Sequence, residues 1–254
     1  MLNYTEINSK AISSWAADGW EWGTPVSPEA CEKARHGQWD VVLTPTRPVP
    51  KDWFLPFKGT RILGLASGGG QQMPIFSLLG GKCTVMDYSD RQLASEKLVA
   101  QREGYDIEIV KADMTKTFPF ADGSFDLIFH PVSNCYVEDV YHIWRECFRV
   151  LRPGGVLLSG LNSEILYLID DEDATPLTIT NPLPYNPLKN SSQMPENPEE
   201  DSIQFSHSFD EQIGGQLKAG FVLTAAFEDY CNEVDNELLK TIPAFWATRA
   251  VKPN

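Results

Sequence analysis

The feature that most constrains the fold is a glycine-rich turn. The apolar run Arg61-Ile62-Leu63-Gly64-Leu65-Ala66 empties directly into Ser67-Gly68-Gly69-Gly70. A short apolar run cut off by glycines reads as a buried strand. The missing side chains let the backbone fold back tightly and leave room for a ligand against it. About 20 residues on, Cys83-Thr84-Val85-Met86 reads as a second strand that ends at Asp87. Strand, glycine turn, helix, strand and acid together specify an open α/β sheet whose ligands bind beyond the carboxyl ends of its strands.

The pattern continues. Met73 to Leu79 reads as the first crossover helix, stopped by Gly80-Gly81. Ser89 and Gln92 form a capping-box pattern for a helix running to about Glu103. Residues 107–110 and 125–129 read as the third and fourth strands. Val137, Val140, Tyr141, Trp144, Phe148 and Leu151 recur at helical spacing, which predicts an amphipathic helix over 137–151. A fifth strand, Val156 to Gly160, follows the turn at Pro153-Gly154-Gly155. Strands alternating with helices imply right-handed crossovers and a parallel sheet covered on both faces. A second capping box, Ser208 and Glu211, opens a helix ending near Gly220, and residues 221–227 and 245–251 read as two last strands. The expected class is a Rossmann-like, doubly wound α/β sheet, mostly parallel, with an antiparallel last strand.

Two segments break the rhythm. Residues 1–57 read as an irregular N-terminal extension rich in proline and tryptophan, with Trp15, Trp20, Trp22, Trp39 and Trp53. These rings serve either as core packing or as a lid over a bound ligand. Residues 162–205 read as an insertion after the fifth strand, and a possible second lid, within one domain spanning 58–254. This insertion carries the run Asp170-Asp171-Glu172-Asp173, which reads as a solvated loop or, alternatively, as a lure for a cationic acceptor.

Charge narrows the function. With 35 acidic residues against 21 basic, the chain has a formal charge of -14, which repels phosphate backbones and anionic membranes. No nucleic-acid or membrane partner is therefore expected. The five cysteines are scattered singly, which suits free thiols in a reducing compartment, and no metal site is read from them. There is no signal-like start and no uninterrupted apolar run of about 18 residues, so a cytoplasmic address is expected.

The glycine turn with Asp87 fits a nicotinamide dinucleotide almost as well as other adenosyl cofactors, because the carboxylate simply accepts from ribose hydroxyls. Further strings separate the readings: Lys111-Ala112-Asp113-Met114, then Phe118 to Asp126 with Phe-Pro-Phe-Ala-Asp-Gly-Ser-Phe-Asp, then Phe148-Arg149-Val150-Leu151-Arg152-Pro153-Gly154-Gly155. In this order they resemble the class I S-adenosylmethionine-dependent methyltransferases, especially the small-molecule branch, over roughly residues 60 to 160.

The resemblance implies an enzyme that takes S-adenosyl-L-methionine and methylates a small-molecule substrate. It implies that Ala66, Ser67, Gly68 and Gly70 lie against the methionine and ribose, that Asp87 holds the ribose, that Tyr88 flanks the adenine, and that Asp113 and Met114 meet its amino edge. His130, just after the fourth strand, is expected to line the space where cofactor and acceptor meet and is the candidate base; a wall residue is the alternative. Tyr136 and Asn134 could orient an acceptor. His207 reads as a surface residue. Two positions depart from the family pattern: Gly64 stands where an acid is usual, and Ala66 where the first loop glycine is usual. Gln71 and Gln72 are candidate substitutes for the missing anchor. The departures keep open a non-catalytic S-adenosylmethionine-binding protein, and an NAD-dependent oxidoreductase is the remaining alternative.

Overall fold

In a computed structural model, residues 3–169, 178–231 and 240–254 are described. The N-terminal extension is more regular than its composition predicts. It forms α1 (Tyr4–Ala17) and α2 (Pro28–Arg35). The buried positions of α1 are Asn8, Ala11 and Ala16, too small and polar to register as an apolar stripe. The acidic run at 170–173 lies outside the described residues.

From residue 61 the strands and helices alternate as β1 (Arg61–Leu65), α3 (Gln72–Leu78), β2 (Lys82–Asp87), α4 (Asp90–Glu103), β3 (Glu108–Lys111), β4 (Phe125–His130), α5 (Val140–Val150) and β5 (Leu151–Asn162). The C-terminal part adds α6 (Pro198–Asp201), a π-helical turn (Asp210–Gly214) running into α7 (Gly215–Ala219), β6 (Val222–Asp229) and β7 (Phe245–Val251). The sheet order is β3-β2-β1-β4-β5-β7-β6. The first five strands are parallel, and β7 runs antiparallel between β5 and β6. This is the doubly wound, Rossmann-like arrangement.

Strand periodicity sorts the core into two layers. Ile62, Leu127, Phe129 and Leu158 point to one face, where they meet Phe76 and the extension's Trp53. Leu63, Ile128 and Leu157 point to the other, where α5 presents Trp144, Ile143 and Cys147. All are buried, as expected for strands covered on both sides. Trp39 packs against the first layer beside Phe54 and Phe57, so this part of the extension is core.

Several boundaries moved. The helix predicted from Val137 begins at Val140, because Asn134–Tyr136 forms a separate 3₁₀ turn and Asp139 caps the helix through His142 N. The fifth strand starts at Leu151, pairing with Phe125 before a bulge absorbs Pro153 to Gly155. The capping box at Ser208 closes in both directions, with Ser208 N donating to Glu211 Oε2 at 2.8 Å and Glu211 N to Ser208 Oγ at 3.2 Å. At α4 only half forms. Ser89 Oγ accepts from Gln92 N, but Gln92 Nε2 donates to Trp22 O at 3.2 Å instead of reaching back. His207, expected on the surface, is buried: its Nε2 donates to the carbonyls of Val137 (2.9 Å) and Asn134 (3.1 Å), closing the turn after β4.

Candidate active site

A cavity of about 290 Å³ opens over the carboxyl ends of the strands. Its floor is the glycine turn. Ala66 holds φ at +46°, a left-handed conformation rare for alanine, while its N–H donates to Met86 O at 2.8 Å across the end of β2. Gly68 must be glycine, since a Cβ there would lie 2.9 Å from Asp87 Oδ2 and 2.7 Å from Gln92 Cβ.

Asp87 ends β2 and is held by two backbone donors. Gly68 N reaches Oδ2 at 3.0 Å and Ser89 N reaches Oδ1 at 2.9 Å. An ionised carboxylate has about four lone-pair positions, more than these two donors fill, and Asp87 lines the cavity, so the donor set fits the ribose of an adenosyl cofactor. Burial raises the Asp87 pKa above the usual carboxylate range, against the opposing pull of these backbone N–H groups.

Tyr88, Asp113 and Met114 also line the cavity. Asp113 accepts from Thr115 N at 2.8 Å and from the hydroxyl of Thr5, on α1, at 3.1 Å. The same helix is pinned by Ser9 Oγ donating to Tyr88 O (2.8 Å) and by Ser13 bonding Ser89 (2.9 Å). Thus α1 bridges Asp113, Tyr88 and Ser89 from above, and Trp20 and Trp22 continue the roof. None of the described residues of the insertion 162–205 lines the cavity. The insertion instead grips α1 from outside: Asn8 Nδ2 donates to Ile203 O (2.8 Å), Ile203 N donates to Asn8 Oδ1 (2.7 Å), and Trp15 Nε1 donates to Glu200 O.

The Gly64 departure from the family pattern has a packing counterpart. A Cβ at Gly64 would lie 2.6 Å from Met73 Sδ, so the volume of the usual acid is occupied by Met73. Gln72 lines the cavity and accepts from Ser67 Oγ at 3.1 Å. Gln71 ties the turn to the extension by donating to Glu21 O and Thr24 O. A further acid lies behind the turn, where sequence reading missed it. Glu96 on α4 is fully buried and accepts from Gly70 N at 3.1 Å. Burial pushes its pKa up to about 8, with Asp87 adding to the rise. Gly70 therefore faces Glu96 and α4 rather than the cavity. An acid four residues from Gln92 on a face shared with Val99 was the available signal.

His130 is the last residue of β4, fully buried, and not part of the cavity wall. Burial lowers its pKa, which keeps the ring neutral. Its Nδ1 lies 3.0 Å from Leu65 O and its Nε2 2.9 Å from Asn134 Oδ1. A carbonyl can only accept, so the neutral ring donates from Nδ1 and needs a donor at Nε2. Turning the Asn134 and Gln212 amides over together supplies one and preserves their 2.9 Å contact. His130 is thereby a strut between β1 and the turn after β4. Tyr136 does line the cavity, and burial holds its hydroxyl pKa well above the ordinary value.

The outer wall comes from segment 42–45. It crosses β5 so closely that a Cβ at Gly160 would lie 2.0 Å from Leu43 O. Asp229, at the end of β6, fixes the following residues by accepting from Thr46 N (2.8 Å), Arg47 N (3.0 Å) and the Thr46 hydroxyl. Among the described residues there is no cluster of His, Cys, Asp and Glu arranged to hold a metal, and no helix long and apolar enough to cross a membrane. Cys31, Cys83, Cys135 and Cys147 are buried, reduced thiols.

A glycine turn, a ribose-competent acid on β2 and a seven-stranded sheet with β7 reversed define the class I S-adenosylmethionine-dependent methyltransferase fold. The chain belongs to that family: residues 63–159 match the family described as "Methyltransferase domain", and a whole-chain relative agrees. This relative is the uncharacterized methyltransferase YbaJ of Bacillus subtilis, 40% identical over 250 residues, covering 96% of this chain and 97% of its own. The ubiquinone biosynthesis O-methyltransferase of Caulobacter vibrioides is 28% identical over 40% of each chain. Among solved structures, an S-adenosylmethionine-dependent methyltransferase of Mesorhizobium loti superposes with a TM-score of 0.60 at 18% identity, over 79% of this chain and 94% of its own. A Listeria monocytogenes chain gives 0.64 at 15% identity, over 80% and 96%. The protein is an S-adenosylmethionine-dependent methyltransferase.

Proposed function

We propose that the acceptor is a small molecule, methylated inside the cavity under α1. The observation that carries this reading is the roof. Thr5, Asn8, Ser9 and Ile12 of α1, with Trp20 and Trp22, cover a space of about 290 Å³, near the lower end of the range for small-molecule sites. The charge of -14 opposes nucleic acid.

In this reading the backbone of Ala66, Ser67 and Gly68 and the amide of Gln72 receive the methionine part, Asp87 accepts from the ribose hydroxyls, Tyr88 flanks the adenine, and Asp113 with Met114 meets its amino edge. S-adenosylmethionine supplies an activated methyl on a sulfonium, so the chain's contribution is alignment and exclusion of water. Orientation alone can supply up to about 7–11 kcal/mol of a barrier. Tyr136 orients the acceptor. His130 transfers no proton in this scheme, because both of its ring nitrogens face protein and it does not reach the cavity. Helix α1 with Trp20 and Trp22 is the lid, and Glu200 and Ile203 of the insertion latch it.

The test is to incubate the full chain with methyl-labelled S-adenosylmethionine and fractionated cell extract. Label is expected in the small-molecule fraction. Label confined to RNA or protein would refute the reading.

A further inference from the structure

Glu96 is buried on α4, and its hydrogen-bond partners among the described residues are Gly70 N at 3.1 Å and the Tyr105 hydroxyl at 3.4 Å. Other buried acids are better served: Glu146 pairs with Arg149 at 2.7 Å, and Asp229 accepts from Thr46 N, Arg47 N and the Thr46 hydroxyl. A buried carboxylate is costly as an anion unless a positive charge offsets it. What lies against Glu96 is the cofactor turn. Gly68 N donates to Asp87, Gly69 N to Gln92 O at 2.9 Å and Gly70 N to Glu96, so the turn hangs from one acid at its front and another at its back. The packing is tight, since a Cβ at Gly70 would lie 2.8 Å from Val99 Cγ2 and 3.0 Å from Ser95 O, both on α4.

The same turn lacks a charge elsewhere. Position 64, where the family pattern has an acid, is glycine, and the side-chain volume belongs to Met73. Gln71 is spent on the extension and Gln72 on Ser67, and neither amide carries charge. Glu96 brings a titratable acid to that turn from behind.

We propose, resting on the placement of S-adenosylmethionine on the glycine turn and Asp87, that Glu96 takes over the electrostatic role of the acid absent at position 64 and favours the sulfonium-bearing donor over S-adenosylhomocysteine. Glu96 does not line the cavity, so it acts across the turn, setting specificity without touching a reacting atom. Burial pushes its pKa up to about 8, with Asp87 adding to the rise, so near neutral pH an approaching positive charge draws the proton off. No covalent bond to carbon or sulfur changes in this step. The proton passes from Glu96 to solvent by way of the half-buried Tyr105, which lines a groove beside α4 and β3, and it returns when the sulfonium charge is gone. The other titratable groups around Glu96 are Asp87 and Cys83 of β2, Tyr105 and, beside Tyr105, Cys31 of α2. Burial raises the two thiols, Cys83 to about 12, and also the phenol, so these three stay uncharged at neutral pH. Of the other elements against α4, α3 brings no titratable side chain, Glu108 and Lys111 of β3 bond to Thr84 and Asp90, and Lys10 of α1 pairs with Glu199. On α4 itself Lys97 is exposed, and Arg102 pairs with Glu103, as does Arg35 of α2.

The test needs no acceptor. The full chain and its Glu96→Gln variant are titrated calorimetrically with S-adenosylmethionine and with S-adenosylhomocysteine at about pH 6 and about pH 8.5. Between these two pH values the parent's preference for S-adenosylmethionine should rise at least about fivefold more than the variant's, the scale of one charge felt across a turn in a medium less polar than water. Glutamine keeps an acceptor for Gly70 N, so a merely structural role would lower both affinities together and leave the preference untouched, which would overturn the proposal. Infrared difference spectra of the parent at about pH 7.5 read the proton without the variant. The protonated-carboxyl band should lose most of its intensity with S-adenosylmethionine and keep it with S-adenosylhomocysteine; a band that responds to neither, or equally to both, also overturns the proposal. If both ligands bind and Asp87→Ala abolishes that binding, but neither preference nor band responds as stated, the role of Glu96 falls while the cofactor placement stands. If S-adenosylhomocysteine does not bind the parent, or binds Asp87→Ala equally well, the placement falls and the proposal with it.

Discussion

Replacing Asp87 by alanine should separate two jobs that one carboxylate performs. The structural job is to receive Gly68 N and Ser89 N, at 3.0 and 2.9 Å. Both donors border the cavity and can be rehydrated after truncation, so the cost to folding should be about 1–2 kcal/mol, below the range for leaving two such groups buried and dry. A domain with about 5–15 kcal/mol of stability tolerates that loss. The binding job is to receive two ribose hydroxyls on the lone pairs that remain. Hydrogen bonds to a charged partner are worth about 1.5–3 kcal/mol each, so losing two costs at least about 3 kcal/mol, or roughly 100-fold in affinity. Calorimetric titration with S-adenosylhomocysteine reads the second loss, and urea unfolding reads the first. A variant that unfolds at a slightly lower urea concentration but no longer binds measurably is the expected result. Affinity within threefold of the parent would refute the placement of the ribose on Asp87.

Four further perturbations follow from named contacts. Glu96→Gln keeps an acceptor for Gly70 N but removes a titrating group whose pKa is raised in the fold to about 8. A raised carboxyl pKa means that stability is lost as pH climbs from the unfolded value toward the folded one, so the variant should gain stability over its parent at pH 8 and not at pH 4; equal gain at both would exclude Glu96 as the titrating group. His130→Gln should cost about 1–3 kcal/mol in unfolding experiments through its buried bonds. Because the folded His130 pKa is depressed, the parent loses stability as pH falls through about 6.5, and the variant should lose less; an unchanged slope would contradict a neutral buried ring. Gly64→Ala should cost about 1–3 kcal/mol by overpacking against Met73, and markedly less when Met73→Ala is already present, as a double-mutant cycle in urea would show; simple additivity would disprove the contact. Asn8→Ala breaks the paired bonds to Ile203 and should loosen α1, weakening S-adenosylhomocysteine binding severalfold in calorimetry, whereas unaltered affinity would remove α1 as a lid.

The sheet was largely legible because each strand is a short apolar run punctuated by glycine, proline or acid, and such local signals survive without tertiary information. Asp87 and the glycine turn belong to that category. What stayed hidden was tertiary. Helix α1 buries Asn8, Ala11 and Ala16, and the value of Asn8 depends on Ile203, nearly two hundred positions away. His207 looked exposed because it precedes a helix, yet the carbonyls it satisfies lie near residue 135. His130 stood at the right sequence position for a cavity base, but its side-chain direction is set by Leu65 and Asn134, neither of which a linear motif encodes. Gly64 removes the usual acid, and the volume that acid would take is filled by Met73, which no linear motif encodes.

The account's central claim is that the glycine turn, Asp87 and α1 enclose one cofactor and one small acceptor. A crystal structure of the full chain with S-adenosylhomocysteine tests it most directly. The account predicts both ribose hydroxyls on Asp87, the adenine between Tyr88 and Asp113, and the thioether sulfur directed at the apolar chamber beside Tyr136 and Phe245 with α1 closed above. A ligand bound elsewhere, or bound with its ribose away from Asp87, would contradict it.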